Sequence, residues 1–159
     1  MNKQSLIKSL QLERHIEGGY YRRTYESGHT LQTQRGERLL MTSIYYLLTD
    51  DQPIGHLHQN QSDILHFFHS GAPVDYFIIT RHGELQTATL GPDPSRGHLF
   101  QLLVESGSWK ASQLRDGEFG LISEAVAPGF DFADMRLAEQ QEIAREFPQH
   151  WPAVKHLIK

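Results

Sequence analysis

The chain has 159 residues, a hydrophobic content of 38%, a formal net charge of −4 and no cysteine. This length fits one packed core better than two, so we expect a single domain over residues 1–159. A mildly acidic chain without a Lys/Arg cluster has no electrostatic footprint for nucleic acid or an anionic membrane, and the lack of cysteine excludes disulfides and thiolate chemistry. No apolar run reaches bilayer length and the first residues lack a secretory segment, so we expect a cytoplasmic protein.

The helix signals lie near the two ends of the chain. Residues 5–12 place apolar side chains at helical spacing, with Ser5 as the expected N-cap. Residues 137–147 are rich in good helix formers and are followed by Pro148, which should end the second helix. The sequence therefore predicts one short helix near each end.

Between these helices, short apolar segments alternate with turn residues. The composition of residues 28–36 is typical of a polar loop. Regular short strands with turns between them favour a sandwich or barrel over βαβ units, so the expected fold class is all-β. The predicted strands are residues 20–25, 41–48, 64–68, 74–80, 85–90, 99–104, 109–114 and 119–126.

The middle of the chain holds a candidate metal motif. His56 and His58 are separated by one residue, and Asp63 follows. Alternate side chains of an extended segment share a face, so the two imidazoles can converge on one cation, with Asp63 as an oxygen ligand. Such a set suits Zn, Mn, Fe or Ni. The alternative is a pair of exposed turn histidines beside a loop aspartate.

Several motifs give the chain a specific resemblance. Gly55, the His-x-His pair, Gly71 and the later Gly107-Ser108-Trp109-Lys110 stretch resemble the two motifs of the cupin superfamily. Three further segments resemble one branch of it, the cupin-5-type family, a domain of unknown function. These segments are EGGYYRRTY at residues 17–25, TSIYYLL at residues 42–48 and APGFDFAD at residues 127–134. The resemblance covers residues 6–138 and implies a double-stranded β-helix, the jelly-roll barrel.

The resemblance also implies that the superfamily's metal ligands are largely missing. Counting back from Gly71 puts the glutamate position at Ile64 and the histidine positions at His58 and Asn60. The histidine position of the second motif falls on Lys110, whose ammonium would oppose a cation. We therefore expect no resident cofactor. A divalent transition metal held by His56, His58 and Asp63 is the alternative.

What remains is a polar pocket inside the barrel. If Ile64 lies at an interior position, His66 shares its face through the two-residue period of a strand, and His58 joins it. Ser43 and Tyr45 share a strand face opposite Ile44, Tyr46 and Leu48, which leaves the first two for the pocket. The further candidates for ligand binding are Arg22, Trp109, Lys110 and Glu124. Three of them have a structural alternative: a surface ion pair for Arg22, core packing for Trp109 and a solvated carboxylate for Glu124.

Three functions are compatible with this pattern. Resemblance to sugar-epimerase-type cupins implies metal-independent proton transfer, with His58 or His66 as base and Tyr45 as acid, and Arg22 or Lys110 stabilising the enolate. The alternatives are a non-catalytic binding or sensing module and a metal-dependent enzyme. The expected partner is a small polar or anionic metabolite, such as a sugar derivative. By analogy with small cupins we also expect a homodimer, with the segment 20–25 crossing to a partner.

Overall fold

The computed structural model describes residues 1–159 and consists mainly of antiparallel strands. None of its three helices is long and apolar enough to cross a membrane. The helices are α1 (Lys3–Ser9), α2 (Gln140–Glu146) and α3 (Trp151–Val154). The strands are β1 (Glu13–Arg14), β2 (Tyr20–Glu26), β3 (Thr30–Thr33), β4 (Gly36–Leu39), β5 (Thr42–Thr49), β6 (Ile54–Asn60), β7 (Asp63–Gly71), β8 (Val74–Ile79), β9 (Leu85–Leu90), β10 (Gln101–Val104), β11 (Trp109–Leu114), β12 (Phe119–Ala127) and β13 (Met135–Leu137).

Two sheets face each other, as the predicted all-β class requires. One has six strands in the order β1-β2-β5-β12-β7-β10, and the other has five in the order β13-β6-β11-β8-β9. A buried cluster from both sheets fills part of the space between them. It includes Tyr46 and Leu48 of β5, Tyr76 of β8 and Ile122 of β12. Inward and outward side chains alternate along these strands because the period of a strand is two.

The outer faces of the sheets are also covered. Leu6 of α1 and Leu12 pack against Leu47 and Leu121 on the outside of the six-stranded sheet. The C-terminal helices cover the five-stranded sheet, where Trp109 lies in a buried cluster with Ile143 and other apolar residues. Both faces of the central strands are therefore apolar, which affects how their sequence pattern can be interpreted.

The ends of the chain differ in detail from the prediction. α1 begins earlier than predicted, because Asn2 is its N-cap and Ser5 completes a reciprocal capping box with it. The predicted C-terminal helix is confirmed over Gln140–Glu146, and a second helix, α3, follows it. The polar segment 28–36 was wrongly predicted as a loop. Its residues contribute to the β3–β4 hairpin, in which Thr30 pairs with Leu39.

Candidate functional site

A cavity opens between the two sheets at one end of the barrel. It encloses about 460 Å³, including the part open to solvent. Half of its lining is apolar and half carries ionisable or amide groups, a mixture typical of small-molecule sites. The lining residues are His15, Glu17, Tyr21, Arg23, Ile44, His58, Asn60, Ile64, Glu124, Val126, Phe130 and Phe132.

Glu17 enters the cavity from the turn between β1 and β2. Gly18 and Gly19 follow it with φ angles of 98° and 70°, in the region that favours glycine. A Cβ atom at Gly18 would lie 2.1 Å from the carbonyl oxygen of Ile54. The glycines therefore let the turn lie directly against β6, where the backbone N–H of His56 donates to the Glu17 carbonyl at 2.6 Å. This contact fixes the direction of the Glu17 side chain.

The carboxyl group of Glu17 faces the imidazole of His58. Oε2 of Glu17 lies 3.3 Å from Nε2 of His58, and both side chains are at most 10% exposed. Nδ1 of His58 lies 2.7 Å from the carbonyl oxygen of His56, which can only accept, so Nδ1 carries a proton. In the neutral ring Nε2 then presents a lone pair. A protonated Glu17 satisfies that lone pair, whereas an ionised one would repel it.

His15 lies on the other side of the same carboxyl group. The backbone N–H of Glu17 donates to Nδ1 of His15 at 3.1 Å, so the proton of this neutral ring is on Nε2. Nδ1 is also 3.6 Å from Oε2 of Glu17. The ring packs edge-on against Tyr21, with centroids 4.4 Å apart. Glu17 is thus held between two imidazoles, each with an assigned tautomer.

Burial sets the protonation states of these three groups. It raises the pKa of Glu17 to about 8, an effect that Lys110 opposes and Glu124 reinforces. Burial, together with the positive charge of Lys110, lowers the pKa of His58 to about 3. The pKa of His15 falls to about 4, again mainly through burial. At neutral pH the group is therefore a carboxylic acid between two uncharged imidazoles.

Arg23 supplies a cation at the wall of the cavity. Nη1 donates to Glu26 at 2.7 Å, and the guanidinium carbon lies 5.9 Å from the centre of the Phe130 ring. Its Nε is buried but makes no hydrogen bond within the chain. A buried donor without an acceptor is costly, so this atom is a natural contact for a ligand oxygen.

A second buried polar cluster lies deeper in the barrel. Nζ of Lys110 lies 3.0 Å from Oε1 of Glu124 and 2.9 Å from Nε2 of His66. Burial alone would raise the pKa of Glu124, but Lys110 and His66 together hold it well below its usual value. Burial and the Lys110 charge lower the pKa of His66. The cluster thus holds a charged pair beside a neutral imidazole.

The structure brings four of the sequence-predicted residues into the interior, namely His58, His66, Lys110 and Glu124. The interior placement of Ser43 and Tyr45 was wrong. Tyr45 packs on the outer face with the α1 cluster, and the hydroxyl of Ser43 donates to the Glu124 carbonyl at 2.8 Å. The pattern separated the two faces of β5 correctly but assigned the wrong one to the pocket, because α1 buries the outer face as well.

Three other predicted ligand contacts do not line the cavity either, and of these only Lys110 points into the barrel interior. Arg22 is exposed, and its Nη1 donates to the carbonyl of Leu10 at 3.2 Å, so its neighbour Arg23 is the arginine of the pocket. Trp109 is buried beneath the C-terminal helices, where the guanidinium of Arg136 lies 4.4 Å from its ring centre. The core-packing alternative therefore holds for Trp109.

The metal set His56, His58 and Asp63 does not converge. β6 has a bulge where it pairs with β11. Gly55 is opposite Ser112 and His58 is opposite Lys110, so two residues of β6 lie between these pairs but only one residue of β11. The extra residue breaks the alternation, so His56 turns toward Leu157 while His58 points inward. Asp63 is exposed and accepts from the backbone N–H of Ser106.

The residues present do not fit the metal that the cupin resemblance raises. Asn60 and Ile64 line the cavity beside His58, as the register counted from Gly71 predicts, and Ile64 has no ligating atom. No group of three or more His, Cys, Asp or Glu side chains is arranged to hold a metal ion. Lys110 directs an ammonium toward His66 and Glu124, the two interior side chains that otherwise resemble ligands.

Sequence reasoning missed Glu17, His15, Arg23 and Tyr21 as cavity residues. Glu17, Tyr21 and Arg23 belong to the EGGYYRRTY segment, which was used only as evidence of resemblance. The paired glycines after Glu17 were the available signal, because two glycines in succession often mark a close backbone approach. His15 precedes that segment and carries no local signal.

The comparisons with known proteins agree with the fold. The model of the family described as Cupin superfamily (DUF985) matches residues 4–138. The uncharacterized protein YML079W of Saccharomyces cerevisiae is 38% identical over an alignment of 146 positions that covers 82% of this chain and 72% of that one. The predicted resemblance and the jelly-roll fold are both confirmed.

Solved structures give the same result. A hypothetical protein from Leishmania major matches with a TM-score of 0.94 and 29% identity, covering 99% of each chain. Protein SO0799 from Shewanella oneidensis matches with a TM-score of 0.91 and 36% identity, covering 100% of this chain and 98% of that one. Bacillus subtilis oxalate decarboxylase, at 16% identity and a TM-score of 0.56, shares the fold over 91% of this chain and 36% of its own.

Proposed function

This chain belongs to the DUF985 family of the cupin superfamily, and from its cavity we propose that it binds a small anionic metabolite and transfers protons on it. The proposal rests mainly on the buried contact between Glu17 and His58, in which Oε2 of Glu17 is 3.3 Å from Nε2 of His58. The cavity combines apolar side chains with a few convergent polar groups, as small-molecule sites do. Sugar acids and related carbonyl compounds are the substrate class that we propose.

The pair contains an acid and a base in contact. Glu17 keeps its proton at neutral pH because burial raises its pKa to about 8. When Glu17 gives that proton to a substrate carbonyl oxygen, it frees Nε2 of His58 to accept the proton from the adjacent carbon. The products are an enol, a carboxylate and an imidazolium. The Glu17 carboxylate and the His58 imidazolium attract each other, and this attraction offsets the free-energy cost of charging His58 inside the barrel.

The outcome of the reaction depends on how the enol is reprotonated. Return of a proton to the opposite face of the same carbon gives an epimer, and delivery to the neighbouring carbon gives an isomer. In this scheme Glu17 takes the role of acid that the sequence had given to Tyr45. His58 is the base, whereas His66 is occupied by Lys110 and Glu124. The chemistry needs no Lewis acid, in keeping with a donor set that does not fit a metal.

Arg23 and Asn60 support binding of an anion. Nε of Arg23 is buried without an acceptor, and Asn60 lines the same cavity. A carboxylate that accepts from the guanidinium would be held at a fixed distance from Glu17 and His58. Phe130 and Phe132 pack edge-to-face at the cavity with centroids 5.0 Å apart and offer an apolar surface to the rest of the ligand.

The proposal is tested in two stages on the purified protein. A thermal-shift screen of sugar acids, 2-oxo acids and nucleotide sugars first identifies ligands. Each ligand is then incubated in D₂O with the wild type, Glu17→Gln, His58→Asn and the surface control His29→Asn, and proton NMR follows exchange of its carbon-bound hydrogens. We expect exchange in the wild type and the control and a loss of at least tenfold in the two site variants.

Two results would reject this account in different ways. Binding without exchange by the wild type would favour the alternative of a non-catalytic binding or sensing module. Exchange that persists in both Glu17→Gln and His58→Asn would place the proton transfer elsewhere.

We also propose that the chain forms a homodimer. β2 pairs with β5 of its own chain, so the segment 20–25 need not cross to a partner. The outermost strand β10 instead carries Leu103, which is 50% exposed, and Phe100, immediately before the strand, is 58% exposed. Pairing with a second copy would cover this edge.

A further inference from the structure

Lys110, Glu124 and His66 meet across the barrel, and the proposed proton transfer does not use them. Glu124 and His66 are direct neighbours on β12 and β7 of the six-stranded sheet. Lys110 reaches them from β11 of the five-stranded sheet, with its Nζ 3.0 Å from Oε1 of Glu124 and 2.9 Å from Nε2 of His66. All three residues are at most 9% exposed.

The orientation of His66 requires a cation at this point. Nδ1 of His66 lies 3.3 Å from the carbonyl oxygen of Leu102, so Nδ1 carries the proton and Nε2 presents a lone pair. That lone pair is only 3.2 Å from Oε1 of Glu124. Two acceptor atoms repel at this distance unless a positive group lies beside both, and the ammonium of Lys110 does so.

The two acceptors are also ligands of a divalent transition metal, namely an imidazole nitrogen and a carboxylate oxygen. We infer that Lys110 occupies an interior cation position, so that the chain carries a covalently tethered ammonium where His66 and Glu124 would otherwise bind a divalent metal. A tethered ammonium cannot dissociate, and it offers no open coordination position to a substrate. This inference concerns cation binding and does not depend on the proposed proton transfer.

The inference is tested by replacing the ammonium with a metal ligand. Lys110→His would add a second imidazole to His66 and Glu124, and three such ligands suit Co²⁺ or Zn²⁺. The wild type, Lys110→His and the control Lys8→His, on the exposed side of α1, are stripped with EDTA and dialysed against CoCl₂. Cobalt is then measured by elemental analysis and by visible absorption.

We expect close to one cobalt per chain in Lys110→His and no stoichiometric cobalt in the wild type or the control. Adding His66→Asn to Lys110→His should remove the bound cobalt and its absorption. Stoichiometric cobalt in the wild type, or no more cobalt in folded Lys110→His than in Lys8→His, would overturn the inference.

A second variant covers the case in which Lys110→His does not fold. Lys110→Ala leaves His66 and Glu124 without a cation, so a divalent cation should raise its unfolding temperature and leave that of the wild type unchanged. An equal response of the two proteins to CoCl₂ would likewise contradict a cation position at Lys110.

Discussion

Glu17 and His58 lie far apart in the sequence, yet Oε2 of Glu17 is 3.3 Å from Nε2 of His58. The bond from Nδ1 of His58 to the His56 carbonyl determines which of the two groups donates. His58 donates through Nδ1 to its own strand, so Nε2 must accept, and Glu17 is the donor within reach. This contact links the turn between β1 and β2 to strand β6 of the five-stranded sheet. It explains why a carboxyl group can stay protonated inside this barrel at neutral pH.

The first prediction concerns stability against pH. The pKa of Glu17 is raised from 4.5 to about 8 on folding, so the folded chain holds a proton that the unfolded chain releases between these values. The free energy of unfolding should then fall as pH rises, by up to about 1.4 kcal/mol per pH unit. His15 and His58 act in the opposite direction, because their pKa values fall from 6.5 to about 4 and about 3, so stability should rise up to pH 6.5.

Together these effects place the maximum stability near pH 6.5. Urea unfolding between pH 5 and 9 should show a loss of about 1–2 kcal/mol from pH 6.5 to 8 in the wild type. Glu17→Gln should lack this decline, since its amide can still donate to His58 without titrating. Parallel profiles for the two proteins above pH 6.5 would show that Glu17 ionises normally.

The second prediction concerns the turn that positions Glu17. Gly18→Ala should destabilise the chain by about 2–4 kcal/mol, because the residue has positive φ and its Cβ would meet the Ile54 carbonyl. It should also abolish ligand binding, since the turn must move away from β6. Gly28→Ala is the control, because nothing lies within 4 Å of a Cβ there. Thermal unfolding and the ligand-dependent thermal shift measure both effects, and similar behaviour of the two variants would contradict the role of the turn.

The sequence predicted most strands of this fold because their alternation and turns are local properties. It did not predict which face of β5 lines the cavity. Tyr46 and Leu48 pack between the sheets while Leu47 packs under α1, so both faces are apolar and the pattern cannot separate them. Only the position of α1, a tertiary feature, distinguishes the two.

The site was less predictable than the fold for similar physical reasons. A bulge in β6 moves His56 out of the face that His58 occupies, and nothing in the local sequence marks that extra residue. Glu17 lies in a turn, where no sequence periodicity indicates which way its side chain points. His66 lies two residues after Ile64 in a regular part of β7, so its inward placement followed from the two-residue period of the strand.

The third prediction concerns the ion pairs beside the cavity mouth. Asp134 is buried and accepts from Arg38 at 2.8 and 2.9 Å and from Arg35 at 3.1 Å, which ties the β3–β4 hairpin to the Phe132–Asp134 turn. Asp134→Ala should cost about 2 kcal/mol of stability and weaken ligand binding by displacing Phe132. Glu146→Gln, which removes only the exposed contact with Arg145, should have little effect. Equal thermal unfolding of the two variants would contradict this role.

The fourth prediction concerns the edge strand β10. If a second copy covers Phe100 and Leu103, light scattering after size exclusion should give the mass of a dimer for the wild type. Phe100→Glu combined with Leu103→Glu should shift the mass toward that of one chain, whereas Tyr25→Glu, at an exposed position of β2, should not. A wild-type mass of one 18.3 kDa chain would remove the dimer from the account.

The carboxyl carbon of Glu17 gives the most direct test of the pair at the centre of the cavity. In ¹³C-labelled protein its chemical shift should titrate at about pH 8, and the ring signals of His58 should change over the same range as the shared proton leaves. A Glu17 signal that titrates near pH 4.5, with no response from His58 around pH 8, would contradict the acid–base pair on which the proposed function depends.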